Sequence, residues 1–192
     1  MGQGTANASF YFDNAYLELL CERDANELES PVVKKLGLGE RVHWHRSGAC
    51  PFGVALRSAE PFQPGELDTW EYPAPFLPEG VTIPIITPAR SIREPLVFIS
   101  VMGVAPASYA RERGIPLEHG GSRRILDRVN IAIPQDRVSS NLMRVSSAGC
   151  LEIRTGSPAY GMQLEFGGAP KEMLDFRPDL PLSITWAISP LR

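Results

Sequence analysis

The sequence is poor in the residues and runs that build disulfide scaffolds, zinc sites and membrane spans. Its three cysteines, Cys21, Cys50 and Cys150, lie far apart and lack the paired spacing of a zinc site or a disulfide framework. This distribution predicts a reducing compartment, and the cytoplasm is the simplest one. The chain has no run of about 18 to 20 apolar residues and no basic start followed by an apolar segment, so we expect neither membrane anchoring nor export.

The chain also lacks a strong excess of either charge. With 19 Lys+Arg against 22 Asp+Glu over 192 residues, its formal net charge is −3. A composition that is 43% hydrophobic and 21% charged excludes a disordered polyelectrolyte, and the weak net charge supplies no broad basic field for nucleic acid. We therefore expect a globular protein of ordinary domain size whose partner is not a nucleic acid.

Glycine and proline are abundant instead. The 17 glycines and 18 prolines divide the chain into many short segments, which favours a sheet-rich α+β fold. The first two segments, Ser9 to Phe12 and Tyr16 to Cys21, flank an Asp-Asn pair and predict a β-hairpin. On its second strand, Tyr16, Glu18 and Leu20 share one face.

Short helices and strands are predicted in the middle of the chain. We expect one helix from Pro31, capped by Ser30, and a second over Glu40 to Arg46, where a strand is the alternative. Pro51 to Arg57 predicts a strand. Ser58 to Glu94 is rich in proline but carries large aromatic residues, so it predicts an ordered connection rather than a flexible linker.

The last third of the chain has the pattern of a βαβββ unit. A buried strand, Leu96 to Val101, and a short helix, Ala107 to Arg113, precede it. The unit itself is predicted as strand, helix, strand, strand, strand over Arg128 to Ile133, Ser139 to Val145, Cys150 to Arg154, Tyr160 to Phe166 and Leu182 to Ile188. Ser139 or Ser140 is expected to cap its helix.

Four short motifs are spread along most of the chain. They are Gly2-Gln3-Gly4-Thr5-Ala6-Asn7 with Phe10-Tyr11-Phe12, then Tyr16-Leu17-Glu18-Leu19-Leu20, then Ser47-Gly48-Ala49-Cys50-Pro51-Phe52-Gly53, and finally Phe176-Arg177-Pro178-Asp179-Leu180-Pro181-Leu182 with Trp186. Taken together in this order, they resemble the glyoxalase-like branch of the vicinal oxygen chelate superfamily. The resemblance implies βαβββ modules whose curled sheets form a cup.

The resemblance also implies a divalent metal ion in that cup, namely Mn, Fe, Zn or Mg, which a small-molecule substrate chelates through two oxygens. Glu18 matches the acidic metal ligand at the end of a module's last strand. A carboxylate on the concave face of a sheet is a hard oxygen donor suited to such ions, whereas a salt bridge at the sheet edge is the alternative role. His119 lies where family members often carry a histidine, and it is the second candidate ligand.

A ligand-binding wall is predicted from Trp44, Phe52, Gly53 and Arg57. The aromatic rings would form apolar walls, and Arg57 would hold an anion. His43 and His45 flank Trp44 and point the same way only on a strand, so chelation by that pair requires a strand. Cys50 is expected to be buried and inert rather than nucleophilic.

The chain departs from the family at its start, because relatives place a strand, a helix and a strand with a histidine ligand before the Gly-Thr segment. We therefore expect a single domain, 1–192, with an incomplete first module and connection over 1–94 and a second module over 95–192. Two functions remain open. One is metal-dependent lyase, isomerase or dioxygenase chemistry, for which no catalytic residue is assigned. The other is a non-catalytic small-molecule-binding or structural homodimer, joined through an unpaired sheet edge.

Overall fold

The computed structural model of the chain describes residues 2–57, 67–86, 91–101, 104–117, 119, 125–147, 149, 151–167 and 171–187. Cys150, Ile188 and parts of the proline-rich connection, 58–66 and 87–90, lie outside the described residues. Statements about the connection therefore concern its remaining residues.

The described residues form short strands and shorter helices. The strands are β1 (Thr5–Tyr11), β2 (Tyr16–Glu22), β3 (Gly53–Leu56), β4 (Thr69–Tyr72), β5 (Ile83–Ile86), β6 (Leu96–Ile99), β7 (Leu126–Ala132), β8 (Leu151–Arg154), β9 (Gly161–Phe166), β10 (Lys171–Asp175) and β11 (Leu182–Ala187). The helices are α1 (Ala25–Leu28), α2 (Pro31–Lys34), α3 (Leu38–Val42), α4 (Trp44–Ser47), α5 (Pro106–Glu112) and α6 (Ser140–Ser147). The predicted α+β class is confirmed.

The strands form three sheets. β1 and β2 pair as the predicted hairpin, β3-β6-β5-β4 form a four-stranded sheet, and β10-β11-β9-β7-β8 form a five-stranded sheet. Two sheets are mixed, because β3 runs parallel to β6, β7 to β8 and β11 to β9, whereas the other pairs are antiparallel. The strands and the helix predicted for the last third are present, and β10 is an additional strand before the last one.

The proline-rich connection contains two strands, β4 and β5, whose bounds were not predicted from the sequence. The helical interpretation of Glu40 to Arg46 is confirmed by α3 and α4. The Ser30 side chain makes no capping hydrogen bond to α2. At the preceding helix, α1, the Asp24 carboxylate does act as a cap, because it accepts hydrogen bonds from the Asn26 and Glu27 N–H groups. Ser139 caps α6 as predicted, since its Oγ accepts from the Leu142 N–H at 3.3 Å.

The chain divides into two compact units, and it passes from one to the other several times. The first unit contains Met1–Asn7, Leu19–Gly103 and Val138–Leu142, and the second contains Ala8–Glu18, Val104–Arg137 and Met143–Arg192. The four-stranded sheet belongs to the first unit, and the five-stranded sheet belongs to the second.

Each unit has its own apolar core. In the first unit, the helices α1 to α3, the four-stranded sheet and the residues that follow α2 and β4 contribute Leu28, Val33, Leu36, Leu38, Tyr72, Ala74, Ile85 and Leu96. In the second unit, the hairpin residue Phe12 packs with Leu164, Phe166, Leu182 and Trp186 of the five-stranded sheet. Burial of these side chains is the main favourable term in the folding of each unit.

Candidate functional site

Glu18, the predicted metal ligand, lies on the exposed side of β2. Tyr16 and Leu20 share this side, as the period of two predicts, and all three side chains are exposed. The Ser9 hydroxyl donates a hydrogen bond to Glu18 Oε1 at 3.4 Å. The structure therefore places Glu18 in a cross-strand contact within the hairpin.

His119, the second candidate ligand, packs against the hairpin. Its Nε2 lies 2.6 Å from the Tyr11 carbonyl oxygen, and its ring contacts the Phe12 ring edge-on at 4.9 Å between centroids. Because a carbonyl oxygen only accepts hydrogen bonds, His119 Nε2 carries a proton and donates it. That nitrogen consequently has no lone pair for a metal ion.

His43 and His45 lie on or beside helices rather than on a strand, so the strand geometry that chelation requires is absent. His43 Nε2 lies 2.5 Å from a Glu22 carboxylate oxygen, and its Nδ1 accepts from Arg46 Nη2 at 3.0 Å. Since an arginine only donates, Nδ1 is the acceptor and Nε2–H is the donor to Glu22. Across the described residues, no three His, Cys, Asp or Glu side chains come together in a group that could hold a metal ion.

The predicted ligand-binding residues of the first unit lie around β3 and α4. Phe52 is buried, whereas Gly53 and Arg57 are exposed, as expected for residues that alternate along an extended chain. The Trp44 and His45 rings are tilted by 30° with their centroids 3.5 Å apart. Phe52 thus faces the opposite side of the strand from Gly53 and Arg57, so these residues do not share one wall.

Cys50 behaves as predicted. Its thiol is buried, and burial raises its pKa to about 11. A thiol with such a pKa stays protonated at neutral pH and is a poor nucleophile.

The five-stranded sheet has one apolar face and one polar face. The apolar face carries Leu164, Phe166 and Trp186 into the core of the second unit. On the other face of the sheet, polar residues of neighbouring strands lie side by side. Asn130 is in register with both Gln163 and Glu152, and Gln163 is in register with Ser183. We call the side that carries Asn130, Glu152, Gln163 and Ser183 the polar face.

A depression of about 160 Å³ lies at one end of the polar face. Its lining comes from β7, β8, β9, β11 and the segment between β10 and β11, and it consists of Asn130, Ala132, Arg154, Gly161, Met162, Gln163, Arg177, Pro181 and Ser183. Ala132 and Gly161 face each other across β7 and β9. Their small size leaves the space that the depression occupies.

Two arginines line this depression, and each is oriented by an acidic residue two positions earlier in the chain. Arg154 Nε donates to Glu152 Oε1 at 2.8 Å. Arg177 donates to Asp175 through Nε at 2.8 Å and through Nη2 at 2.5 Å. These hydrogen bonds lower the pKa of Glu152 and hold the pKa of Asp175 at about 2, with the Arg177 side chain as the main cause for Asp175.

Asn130 is the most buried polar residue of the depression, with 4% of its surface exposed. Its Nδ2 donates to Glu165 Oε1 at 2.8 Å and to Gln163 Oε1 at 3.4 Å, whereas Oδ1 has no partner among the described residues. The sequence analysis did not select this residue. The signal that could have found it is the alternation of Asn130 with Val129 and Ile131 on a predicted strand.

The fold and the polar face together define a mixed α+β protein with an amphipathic five-stranded sheet. No protein-family model, curated protein or solved structure matches this chain. In the described part of the chain, no helix has the length and apolar composition that a membrane crossing needs.

Proposed function

We propose that the protein is a glyoxalase-like small-molecule-binding protein whose ligand occupies the depression on the polar face. The class rests on the sequence resemblance alone, since the elements β7, α6, β8, β9, β10 and β11 contain one strand more than the βαβββ module that the resemblance implies. The proposed place of binding rests on one observation, the depression of about 160 Å³ whose lining combines the apolar residues Ala132, Gly161, Met162 and Pro181 with amide, hydroxyl and guanidinium groups. Ligand sites are concave and combine apolar walls with a few polar groups that orient the ligand.

The proposal involves no resident metal ion. The described residues do not fit one, because Glu18 is exposed on the hairpin and His119 Nε2 donates to a carbonyl oxygen. A ligand in the depression would be held by protein groups alone. The homodimer stays a prediction, which sedimentation velocity would check.

A substitution at Gly161 tests the place of binding. A Cβ atom built there meets only the Ala132 Cβ atom, at the ordinary contact distance of 3.8 Å, so Gly161→Leu fills the depression without strain in the strand. The matched control is Gly53→Leu, because Gly53 is also the first residue of a strand and its Cβ atom would lie 3.6 Å from the Leu96 carbonyl oxygen, again an ordinary contact distance. Gly53 also belongs to the site predicted from sequence, so the two variants separate the two places.

The measurement is the thermal unfolding midpoint of the wild type and both variants with a panel of millimolar carboxylates, phosphate, sugars and amino acids. A ligand that binds the native state raises the midpoint. We expect at least one compound to stabilise the wild type and Gly53→Leu but not Gly161→Leu. Stabilisation that Gly161→Leu retains and Gly53→Leu loses would move the site to the first unit. A panel with no stabilising member would refute the proposal.

A further inference from the structure

The charge of the depression indicates what kind of molecule it takes. Its lining contains two arginines and, among the described residues, no acidic side chain. Glu152 and Asp175 contact these arginines but do not line the depression themselves. The side chains offered to a ligand therefore include two guanidinium groups, each of which is already paired with one carboxylate outside the lining.

The two guanidinium groups approach the depression from different strands of the sheet. Arg154 lies on β8, the strand at one edge, and Arg177 follows β10, the strand at the opposite edge. Ala132, Gly161 and Pro181 lie among the lining residues and offer little polar surface. An occupant with an anionic group at each end suits this arrangement, because one end can pair with each arginine.

Each arginine keeps hydrogen-bond donors for a ligand. Arg154 uses Nε for Glu152, and its two Nη groups have no partner among the described residues. Arg177 uses Nε and one N–H of Nη2 for Asp175, which leaves Nη1 and the second N–H of Nη2. Because a guanidinium is a rigid planar fork, an acidic partner on one edge fixes the direction of the other edge. Carboxylates pair well with such an edge, often through two parallel hydrogen bonds.

We propose that the ligand of this depression is a small dicarboxylate, with one carboxylate on Arg154 and the other on Arg177. This inference depends on the proposed function, since it names the ligand class of the same depression. Glu152 and Asp175 are positioning residues, which orient the arginines before the ligand arrives and so reduce the entropy lost on binding. Gln163 and Ser183 add neutral hydrogen-bonding groups to the lining.

The test is calorimetric titration of the full chain with straight-chain dicarboxylates from malonate to adipate. The comparison probes are the monocarboxylates and the diols of the same chain lengths. We expect one dicarboxylate length to bind at least about tenfold more tightly than its matched monocarboxylate, because only the dicarboxylate pairs with both arginines. The diols are expected to show no binding, and salt should weaken the binding of the dicarboxylate.

Arginine variants complete the test. We expect Arg154→Gln and Arg177→Gln each to reduce the affinity for the dicarboxylate to about that for the monocarboxylate. The matched control is Arg128→Gln, since Arg128 lies 3.7 Å from the same Glu152 but does not line the depression. This control should change the affinity less than about twofold, because exposed charges at a distance are screened.

The outcomes separate the two proposals. Equal affinities for dicarboxylates and monocarboxylates, or equal losses in Arg128→Gln and Arg154→Gln, would overturn the dicarboxylate assignment. A diol or sugar whose binding Gly161→Leu abolishes would also overturn it, while the proposed function would stand. Dicarboxylate binding that survives in Gly161→Leu would refute the place of binding, and with it both proposals.

Discussion

The four-stranded sheet and the five-stranded sheet use their strands in different ways. β5 and β6 of the first unit read Ile-Pro-Ile-Ile and Leu-Val-Phe-Ile, apolar runs of the kind found where a sheet is covered on both faces. β7 and β9 of the second unit alternate polar and apolar residues. The two central strands of the first sheet are therefore apolar throughout, whereas the second sheet carries polar residues along one face.

The buried polar groups of the two sheets differ as well. In the first, the Tyr72 side chain is 1% exposed and its hydroxyl has no partner among the described residues. On the second, Asn130 is similarly buried but its Nδ2 joins Gln163 and Glu165. A polar network therefore crosses the face that carries the depression. In the first sheet, by contrast, the Tyr72 hydroxyl lies in an apolar core, which we expect to be more stable without it.

Loss of an aromatic ring from the apolar face should have the largest effect. Phe166 is fully buried in the second core, so Phe166→Ala is expected to lower the free energy of unfolding by about 3 to 5 kcal/mol. The control is Met173→Ala on β10 of the same sheet, where the side chain is 57% exposed and the expected change is within about 0.5 kcal/mol. Urea denaturation measures both, and similar losses would contradict the assignment of the core.

Substitution of a glycine in the first unit should have the next largest effect on stability. Gly4 has a φ of 79°, and a Cβ atom there would lie 2.6 Å from both the Asp24 carbonyl oxygen and the Leu28 nitrogen. Gly4→Ala is expected to cost about 3 kcal/mol or more, because backbone strain adds to the contact. Gly80 has a similar φ of 82° but nothing within 4 Å, so Gly80→Ala isolates the conformational cost of about 1 to 2 kcal/mol.

The same urea denaturation measures both glycine variants. An equal loss of stability in Gly4→Ala and Gly80→Ala would show that backbone conformation, rather than crowding against α1, explains why glycine occupies position 4. Gly4 belongs to the Gly-Thr motif that was quoted for its resemblance. The result therefore tests whether packing against α1 is a further reason for glycine in that motif.

Removal of the Tyr72 hydroxyl should stabilise the protein by about 1 kcal/mol, since an unpartnered buried hydroxyl loses its hydration without compensation. Burial raises the pKa of Tyr72 to about 12, above its ordinary value of 10.0. In the wild type, ionisation of the unfolded chain therefore lowers stability as the pH rises above about 10. Thermal scans from pH 7 to alkaline pH should show Tyr72→Phe more stable throughout and less sensitive to alkali. A lower midpoint at pH 7 would reveal a partner for the hydroxyl.

The alternating strands could be predicted from the sequence, and the proline-containing strand β5 could not. β7 and β9 follow the period of two, and their predicted bounds are close to the observed ones. β5 contains Pro84, which argues against an interior strand, yet β5 lies between β6 and β4. Pro84 is tolerated because the register of β5 with β6 is confined to Ile85, whereas its register with β4 extends over four residues.

The depression could not be predicted because it depends on strand order. Arg154 ends a predicted strand, and Arg177 lies in a motif that the sequence analysis had quoted for its resemblance alone. β10 carries no apolar alternation, so the sequence gives no sign that a strand precedes Arg177. Only the order β10-β11-β9-β7-β8 brings these two residues to one depression.

The smallest expected effect concerns the orientation of Arg177. If its guanidinium is fixed by Asp175, the Asp175 carboxyl should titrate at about 2, below its ordinary value of 3.8. Arg177→Gln should return the pKa of Asp175 towards that ordinary value, whereas Arg128→Gln should leave it unchanged. Carboxyl carbon shifts followed by NMR during acid titration measure this directly.

The sign of the linked stability follows from the lowered pKa. Because the folded chain binds the proton of Asp175 less readily than the unfolded chain, the pair stabilises the fold above about pH 4, and this contribution is lost as the pH falls to about 2. Arg177 would therefore stay oriented throughout the pH range in which a dicarboxylate is ionised. An Asp175 carboxyl that titrates at its ordinary value in the wild type would mean that Arg177 is not held, and the positioning role of Asp175 would fail with it.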